Sequence, residues 1–365
     1  MPSVRRWTPP HPAADAATLS LWERVDSLVL SLFCVDSDAR PGSETVMTRR
    51  DDDTRFGPST LDRRAFLGAT ALAAAAIALP SPAAAQAIAS ARIGAASLQI
   101  LSDGGITLPV SMLARGVPPA DVQKVLAAAG LPVDATRNGL NVPLLSLGDD
   151  LVLFDCGAGR NFLPTTGLLP KSIEAAGIDP AKVTRVLFTH AHPDHLWGAL
   201  DEFDTPAFPN ATYHMAAAEW DFWVDPQVFA KLPEERHAFA AGAQRVLKAL
   251  EPQLKRFRPG EEIISGLAAI DTRGHTPGHV SFEVRTGSDS LMILGDALTH
   301  PVLSFQHPDW ATAFDQEPER AAATRKSLLD RLAGDKLLVS TYHLPAGGLG
   351  RVERQGSAYR FVPAA

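Results

Sequence analysis

Val183-Thr184-Arg185-Val186-Leu187-Phe188-Thr189-His190-Ala191-His192-Pro193-Asp194-His195 is the stretch on which the reading of this chain turns. Its first half is a short, largely apolar run of the kind that forms a strand buried on both faces. That strand delivers three histidines and an aspartate within the six residues from 190 to 195. The period of two along an extended chain points His190 and His192 the same way, and Asp194-His195 can then turn toward a neighbouring position. Imidazole nitrogen and carboxylate oxygen are ligands for zinc and similar metals, which need donors converging at about 2.0–2.2 Å. A lone histidine reads as a core or surface residue. This density, directly after a buried strand, reads as metal binding.

The run supplies parts of two sites, so further ligands must come from elsewhere. Gly274-His275-Thr276-Pro277-Gly278-His279 offers histidines on a tight turn. Leu294-Gly295-Asp296 puts a carboxylate at a strand end, where it can bridge two cations, and Thr341-Tyr342-His343 ends another strand in an imidazole. Strands that run into polar residues at their C-terminal ends are where α/β folds place their chemistry.

At these residues the chain resembles the metallo-β-lactamase superfamily, and within it the methyl parathion hydrolase-like branch of organophosphate hydrolases and related lactonases. The likeness spans roughly residues 93–363 and includes Leu101-Ser102-Asp103-Gly104, Phe208-Pro209-Asn210, Asp221-Phe222-Trp223 and the tail Tyr359-Arg360-Phe361-Val362-Pro363. The resemblance implies an α/β fold, the four-layer αββα sandwich, as one catalytic domain over residues 93–365. It implies one metal held by His190, His192 and His275, a second held by Asp194, His195 and His343, and Asp296 bridging them. His279 is then a supporting residue, and Asp155 props the site by hydrogen bonding. Two divalent cations, zinc by default with manganese, iron or cobalt as alternatives, would share a water and supply a hydroxide nucleophile. The resemblance makes Asp194 and Asp296 the expected catalytic carboxylates. Phe162, Trp223 and Phe239 match aromatic positions of the leaving-group pocket; the alternative is that they are core aromatics. His300 and His307 read as ordinary loop histidines.

The implied activity is hydrolysis of a small-molecule phosphotriester, ester or lactone. The bridging Asp296 argues against a true β-lactamase, and Thr299 stands where the acyl-homoserine lactonases usually carry a tyrosine, which weakens the quorum-quenching alternative. Only 47 residues separate Asp296 from His343, too few for the inserted domain of the RNA-processing members. His192 stands where flavodiiron-type proteins carry an acidic residue. A mononuclear iron persulfide dioxygenase and a non-catalytic metal-binding member of the fold are the outlying readings.

A net charge of −7 with no block of Lys or Arg disfavours nucleic acid or an anionic membrane as the main partner. Residues 1–60, rich in Pro, Asp, Arg, Ser and Thr, read as a disordered tail or a mis-assigned start, with Met47 the more usual beginning. Residues 61–87 resemble a twin-arginine export signal: Arg63-Arg64, Phe66-Leu67, an Ala-rich stretch, and Ala83-Ala84-Ala85. The apolar stretch from 65 to 79 is 15 residues, short of the ~20 that span a bilayer. The expectation is a periplasmic or secreted protein without stable membrane insertion after cleavage, homodimeric by resemblance. Cys156 would then be the one cysteine of the mature chain, which excludes a disulfide within it. Along the catalytic region, 97–101 and 108–112 are expected to flank a turn at Asp103-Gly104-Gly105, and 144–147 and 151–154 a second hairpin. Helices are expected at 171–176, 234–251 and 318–333, and strands at 280–284, 291–294 and 337–340.

Overall fold

The computed structural model describes residues 88–364, so the expected N-terminal extension at 1–60 and the export signal at 61–87 lie outside the described residues. Two seven-stranded sheets form the centre. The first runs in chain order through β1 (Ala89–Ile93), β2 (Ala96–Pro109), β3 (Ala135–Leu147), β4 (Asp150–Phe154), β5 (Arg185–Leu187), β6 (Thr212–Ala216) and β7 (Leu254–Phe257). The second holds β8 (Glu262–Ile264), β9 (Leu267–Asp271), β10 (Val280–Thr286), β11 (Asp289–Ile293), β12 (Leu338–Ser340), β13 (Leu349–Gln355) and β14 (Ala358–Pro363). In each sheet, antiparallel hairpins lead into parallel pairing: β4, β5, β6 and β7 in the first, β11 and β12 in the second.

Alternation of side chains explains the layers. On β10, Val280, Phe282 and Val284 point into the space between the sheets, and on β11 Leu291 and Ile293 do the same. They meet Leu98, Ile100, Val152, Phe154 and Leu187 from the first sheet. The intervening Leu153, Val186 and Met292 face outward and are covered by helices. Over the first sheet lie α1 (Val110–Leu113), α2 (Pro119–Ala128), α3 (Leu169–Ala175), the single turn α4 (Pro193–Leu196), α5 (Ala217–Val224) and α6 (His237–Leu250). Over the second lie α7 (Leu303–Gln306) and α8 (Pro318–Gly334), which seats Leu328, Leu329 and Leu332 on Met292 and Val339. The order is helices, sheet, sheet, helices, the expected αββα sandwich. Among the described residues no helix is long and apolar enough to cross a membrane.

The hairpin expected at 144–154 forms, with Leu147 opposite Asp150. The turn expected at Asp103-Gly104-Gly105 does not. Those residues are a bulge inside one long strand, β2, where the register against β3 shifts between Ser102 and Gly105. The cause is the Asp103 carboxylate, which is buried and accepts N–H bonds from Ala158 (2.7 Å), Gly167 (3.2 Å) and Leu169 (2.7 Å). Extending the chain smoothly would pull that carboxylate away from its donors. Gly104 absorbs the distortion at φ +99°, where a Cβ would lie 2.2 Å from the Thr165 carbonyl oxygen.

Phe282 is fully buried between the sheets, with Phe154 and Phe257 at ring distances of 5.3 and 5.9 Å. Phe282→Ala is expected to lower the free energy of unfolding by about 3–5 kcal/mol, measured by urea titration of the metal-saturated protein. A change near zero would show that this layer is not the central core.

Candidate metal centre

The parallel pair β4 and β5 sets the site. Beyond Phe154 the chain turns at Asp155, in the left-handed region at φ +62°, and beyond Leu187 it continues to Thr189 and His190. The Asp155 Oδ1 accepts the Thr189 N–H (2.8 Å), and Oδ2 accepts the Thr189 hydroxyl (2.8 Å) and the His195 Nδ1–H (2.8 Å). A non-glycine residue in this conformation is sparsely populated, and three hydrogen bonds to a fully buried carboxylate hold it there. His192 is extended at φ −66°, ψ 157°, and Pro193 then starts α4, whose one turn carries Asp194 and His195 away from His190 and His192. The six-residue run thus faces two neighbouring positions.

Around the first position, His192 Nδ1 lies 3.0 Å from His190 Nε2 and 3.0 Å from His275 Nε2. Around the second, Asp194 Oδ2 lies 3.7 Å from His195 Nε2 and 3.5 Å from His343 Nε2. Asp296 stands between them: its Oδ2 is 3.3 Å from His275 Nε2 and 3.2 Å from His343 Nε2, and its Oδ1 is 3.3 Å from His195 Nε2. The seven residues form three overlapping buried triads of potential ligands.

The outer edges of the rings decide which atoms can bind. His343 Nδ1 faces the Gly139 carbonyl oxygen at 3.0 Å, and His275 Nδ1 faces the Asp315 carboxylate at 3.1 Å, so both Nδ1 atoms carry hydrogen. His195 Nδ1–H donates to Asp155. The Thr189 hydroxyl spends its one hydrogen on Asp155 and can only accept from His190 Nδ1–H, at 3.0 Å. In the neutral rings four Nε2 lone pairs therefore converge on the carboxylates and on His192 Nδ1. Burial opposes protonation of His195 and His343, but Asp296 and Asp194 raise their pKa, so a cation at the second position displaces protons from them. His192 completes the set when the Gln316 amide turns its Oε1, otherwise without a partner, toward His192 Nε2–H. Nitrogen lone pairs 3.0 Å apart, with no hydrogen between them, repel one another unless a cation sits among them. His195 Nε2 and Asp296 Oδ1 are buried without any hydrogen-bond partner, as open metal-ligand atoms would be. Burial, then neighbouring imidazoles, hold His190 and His192 well below the ordinary imidazole pKa, which keeps them neutral. The donor set fits two divalent cations.

Behind the ligands stand residues that the sequence did not single out. Glu219 on α5 is fully buried and accepts from Ala191 N–H (2.8 Å), Trp223 Nε1–H (2.7 Å), the Thr276 hydroxyl (2.7 Å) and Gly278 N–H (3.0 Å). It ties the loop of His190 and His192 to the loop of His275. Asp315 orients His275 and is itself held by Arg325 Nη1 (3.0 Å) and Thr312 N–H (2.8 Å). Both are lone acidic residues without motif spacing, so one sequence carries no signal for them. His279 is buried; its Nε2 accepts the Asp296 N–H at 3.0 Å, and so it positions the carboxylate from behind.

A narrow cavity opens over the cluster. Ile106, Leu108, Met112, Leu113, Phe162, Phe239 and Phe314 supply apolar walls, and His192, Asp194, Asp296 and His343 its polar floor. Of the three aromatics expected to line it, Phe162 and Phe239 do. Trp223 does not. It is fully buried behind His192 at a ring distance of 5.9 Å, because its indole N–H is drawn to Glu219. His300, read as an ordinary loop residue, lines the cavity, whereas His307 stacks on Trp310 at 3.9 Å.

The model of the metallo-beta-lactamase superfamily matches residues 137–343, which include all seven candidate ligands. N-acyl homoserine lactonase AttM of Agrobacterium fabrum is 32% identical over 131 residues, covering 33% of this chain and 43% of AttM. The curated relatives first matched are thus spanned over about half their length, 43–57%. Two solved structures agree over more: AidC, a dizinc quorum-quenching lactonase in complex with a product, at TM-score 0.72 and 29% identity, and hydrolase AbOPH, at 0.70 and 28%. Each covers 76% of this chain and 97% of its own.

Asp315→Asn is expected to weaken metal binding by about 10- to 100-fold, through loss of the anionic partner of His275, with the fold retained. Chelator competition measures it; an unchanged affinity would remove Asp315 from the support of the site.

Proposed function

Since this chain belongs to the metallo-beta-lactamase superfamily, we propose that it is a binuclear metal-dependent hydrolase acting on lactones. The observation that carries the reading is the convergence of five imidazole nitrogens with the carboxylates of Asp296 and Asp194 beneath an apolar cavity. His190, His192 and His275 would hold one cation, Asp194, His195 and His343 the other, with Asp296 shared. Cations so held, zinc by analogy with dizinc AidC, would supply hydroxide at neutral pH and polarise the acyl oxygen. The walls formed by Ile106, Leu108, Phe162 and Phe239 receive the apolar part of the substrate and exclude water. Attack at the carbonyl carbon forms the new C–O bond, and the ring C–O bond breaks. Asp194, which lines the cavity, takes the proton released by the nucleophile and passes it to the departing ring oxygen.

The lactonase relatives support this substrate class even though Thr299 replaces the tyrosine expected there; Thr299 itself lines the cavity. A second reading, hydrolysis of an aryl phosphotriester as in the methyl parathion hydrolase-like branch, draws support from the aromatic walls of Phe162, Phe239 and Phe314. The attack geometry is common to both.

The test is turnover by the metal-replete protein of N-acyl homoserine lactones, simple lactones, an aryl ester, methyl parathion and a β-lactam. Lactone opening should dominate. His190→Ala and Asp296→Ala should each lower it by at least ~10²-fold, since the polarisation lost is worth several kcal/mol. Preference for methyl parathion would select the second reading, and silence across the panel with both metals bound would overturn both.

A further inference from the structure

We propose that His300 is a recognition residue, whose Nε2–H donates a hydrogen bond to a carbonyl or phosphoryl oxygen of the substrate bound in the cavity. The inference rests on the hydrolase reading above and adds a residue that is neither a metal ligand nor a partner of one.

His300 follows Asp296 by four residues, in the segment leading into α7, and is only 3% exposed. Its Nδ1 accepts two backbone N–H groups, from Val302 and Leu303, each at 3.1 Å. An imidazole nitrogen that accepts carries no hydrogen, so a neutral ring must carry its hydrogen on Nε2. A second anchor fixes the segment: the Ser304 hydroxyl oxygen accepts the N–H groups of Thr299 (3.2 Å) and His300 (3.1 Å). The ring is thus locked in both tautomer and orientation by main-chain contacts on one edge.

The other edge is unpartnered. Nε2 is buried and has no hydrogen-bond partner, and the residue lines the same cavity as Asp194, Asp296 and His343. A buried donor left unmet is costly, and a ligand acceptor that enters the cavity recovers that cost. Burial alone lowers the His300 pKa to about 4, with no carboxylate opposing it, so the ring is neutral at neutral pH. A neutral donor suits an uncharged carbonyl or phosphoryl oxygen. It does not serve as the acid that protonates the leaving group.

Two substitutions separate recognition from structure. In His300→Asn the amide oxygen can replace Nδ1 as acceptor for the α7 backbone while the donor is removed. In His300→Gln the amide N–H can replace Nε2–H. Full-length, metal-saturated proteins are compared on N-hexanoyl-homoserine lactone and on a simple γ-lactone of matched length, with N-hexanoyl-homoserine as ligand for calorimetry. His300→Asn should lower kcat/KM by roughly 10- to 100-fold, the value of one buried hydrogen bond, with melting temperature and metal content unchanged, and His300→Gln should recover part of the loss. A loss confined to the amide-bearing substrate places the acceptor on the amide; a loss on both places it on the reacting carbonyl. ¹⁵N NMR of the histidines should show His300 neutral and protonated at Nε2, with that resonance shifting when N-hexanoyl-homoserine binds. Wild-type rates in His300→Asn, absence of recovery in His300→Gln, or a proton on Nδ1 would each overturn the proposal. If the wild type opens neither lactone, the hydrolase reading fails by itself, and the calorimetric and NMR measurements still decide the role of His300.

Discussion

Five imidazole nitrogens and two carboxylates are held facing inward, and the two buried carboxylates call for positive charge among them. Each ring is turned by a bond on its outer edge: the Gly139 carbonyl for His343, Asp315 for His275, Asp155 for His195 and Thr189 for His190. These outer bonds fix the ring orientations before any cation arrives, and they leave the inward nitrogens of His190, His192 and His275 facing one another. The rest of the fold is arranged to keep this unfavourable convergence in place. Held in this way, the inward-facing atoms form a preorganised binding site for cations.

The apolar scaffold does the holding. The inter-sheet layer around Phe154 and Phe282 is built from fully buried side chains, each worth about 1.5–3 kcal/mol of transfer free energy. That layer keeps the ends of β4, β5 and β11 in register, and the polar residues follow directly from those ends. Glu219 joins two of the ligand loops through four hydrogen bonds. The close fit leaves Gly278 no room for a side chain, since a Cβ there would lie 2.0 Å from the Glu219 nitrogen. Burying a carboxylate is costly unless it is fully bonded, and Glu219, Asp103 and Asp155 all meet that condition.

What the amino-acid sequence determined by itself is the fold class, and it singled out the candidate ligands. Short buried strands ending in His, Asp and His are local signals: period, burial and the polar residue at the strand end all lie within a few positions. His190, His192, Asp194, His195, His275, Asp296 and His343 stood out as candidates for that reason and through the family resemblance, and the fold brings them together although they span 154 positions of the chain. What only the tertiary structure decided involves partners distant in sequence. The Asp103-Gly104-Gly105 segment carries the composition of a turn, yet it is a bulge, because its carboxylate is claimed by amides 55 to 66 residues away. Trp223 has the character of a pocket aromatic, yet Glu219, one turn earlier on the same helix, draws it into the core. His300 looked like any loop histidine until Nδ1 was seen to be occupied and Nε2 left without a partner beside the cavity. A single sequence records which groups are available; which bond each one spends, and so which edge is left for a ligand, is set only when the chain is folded.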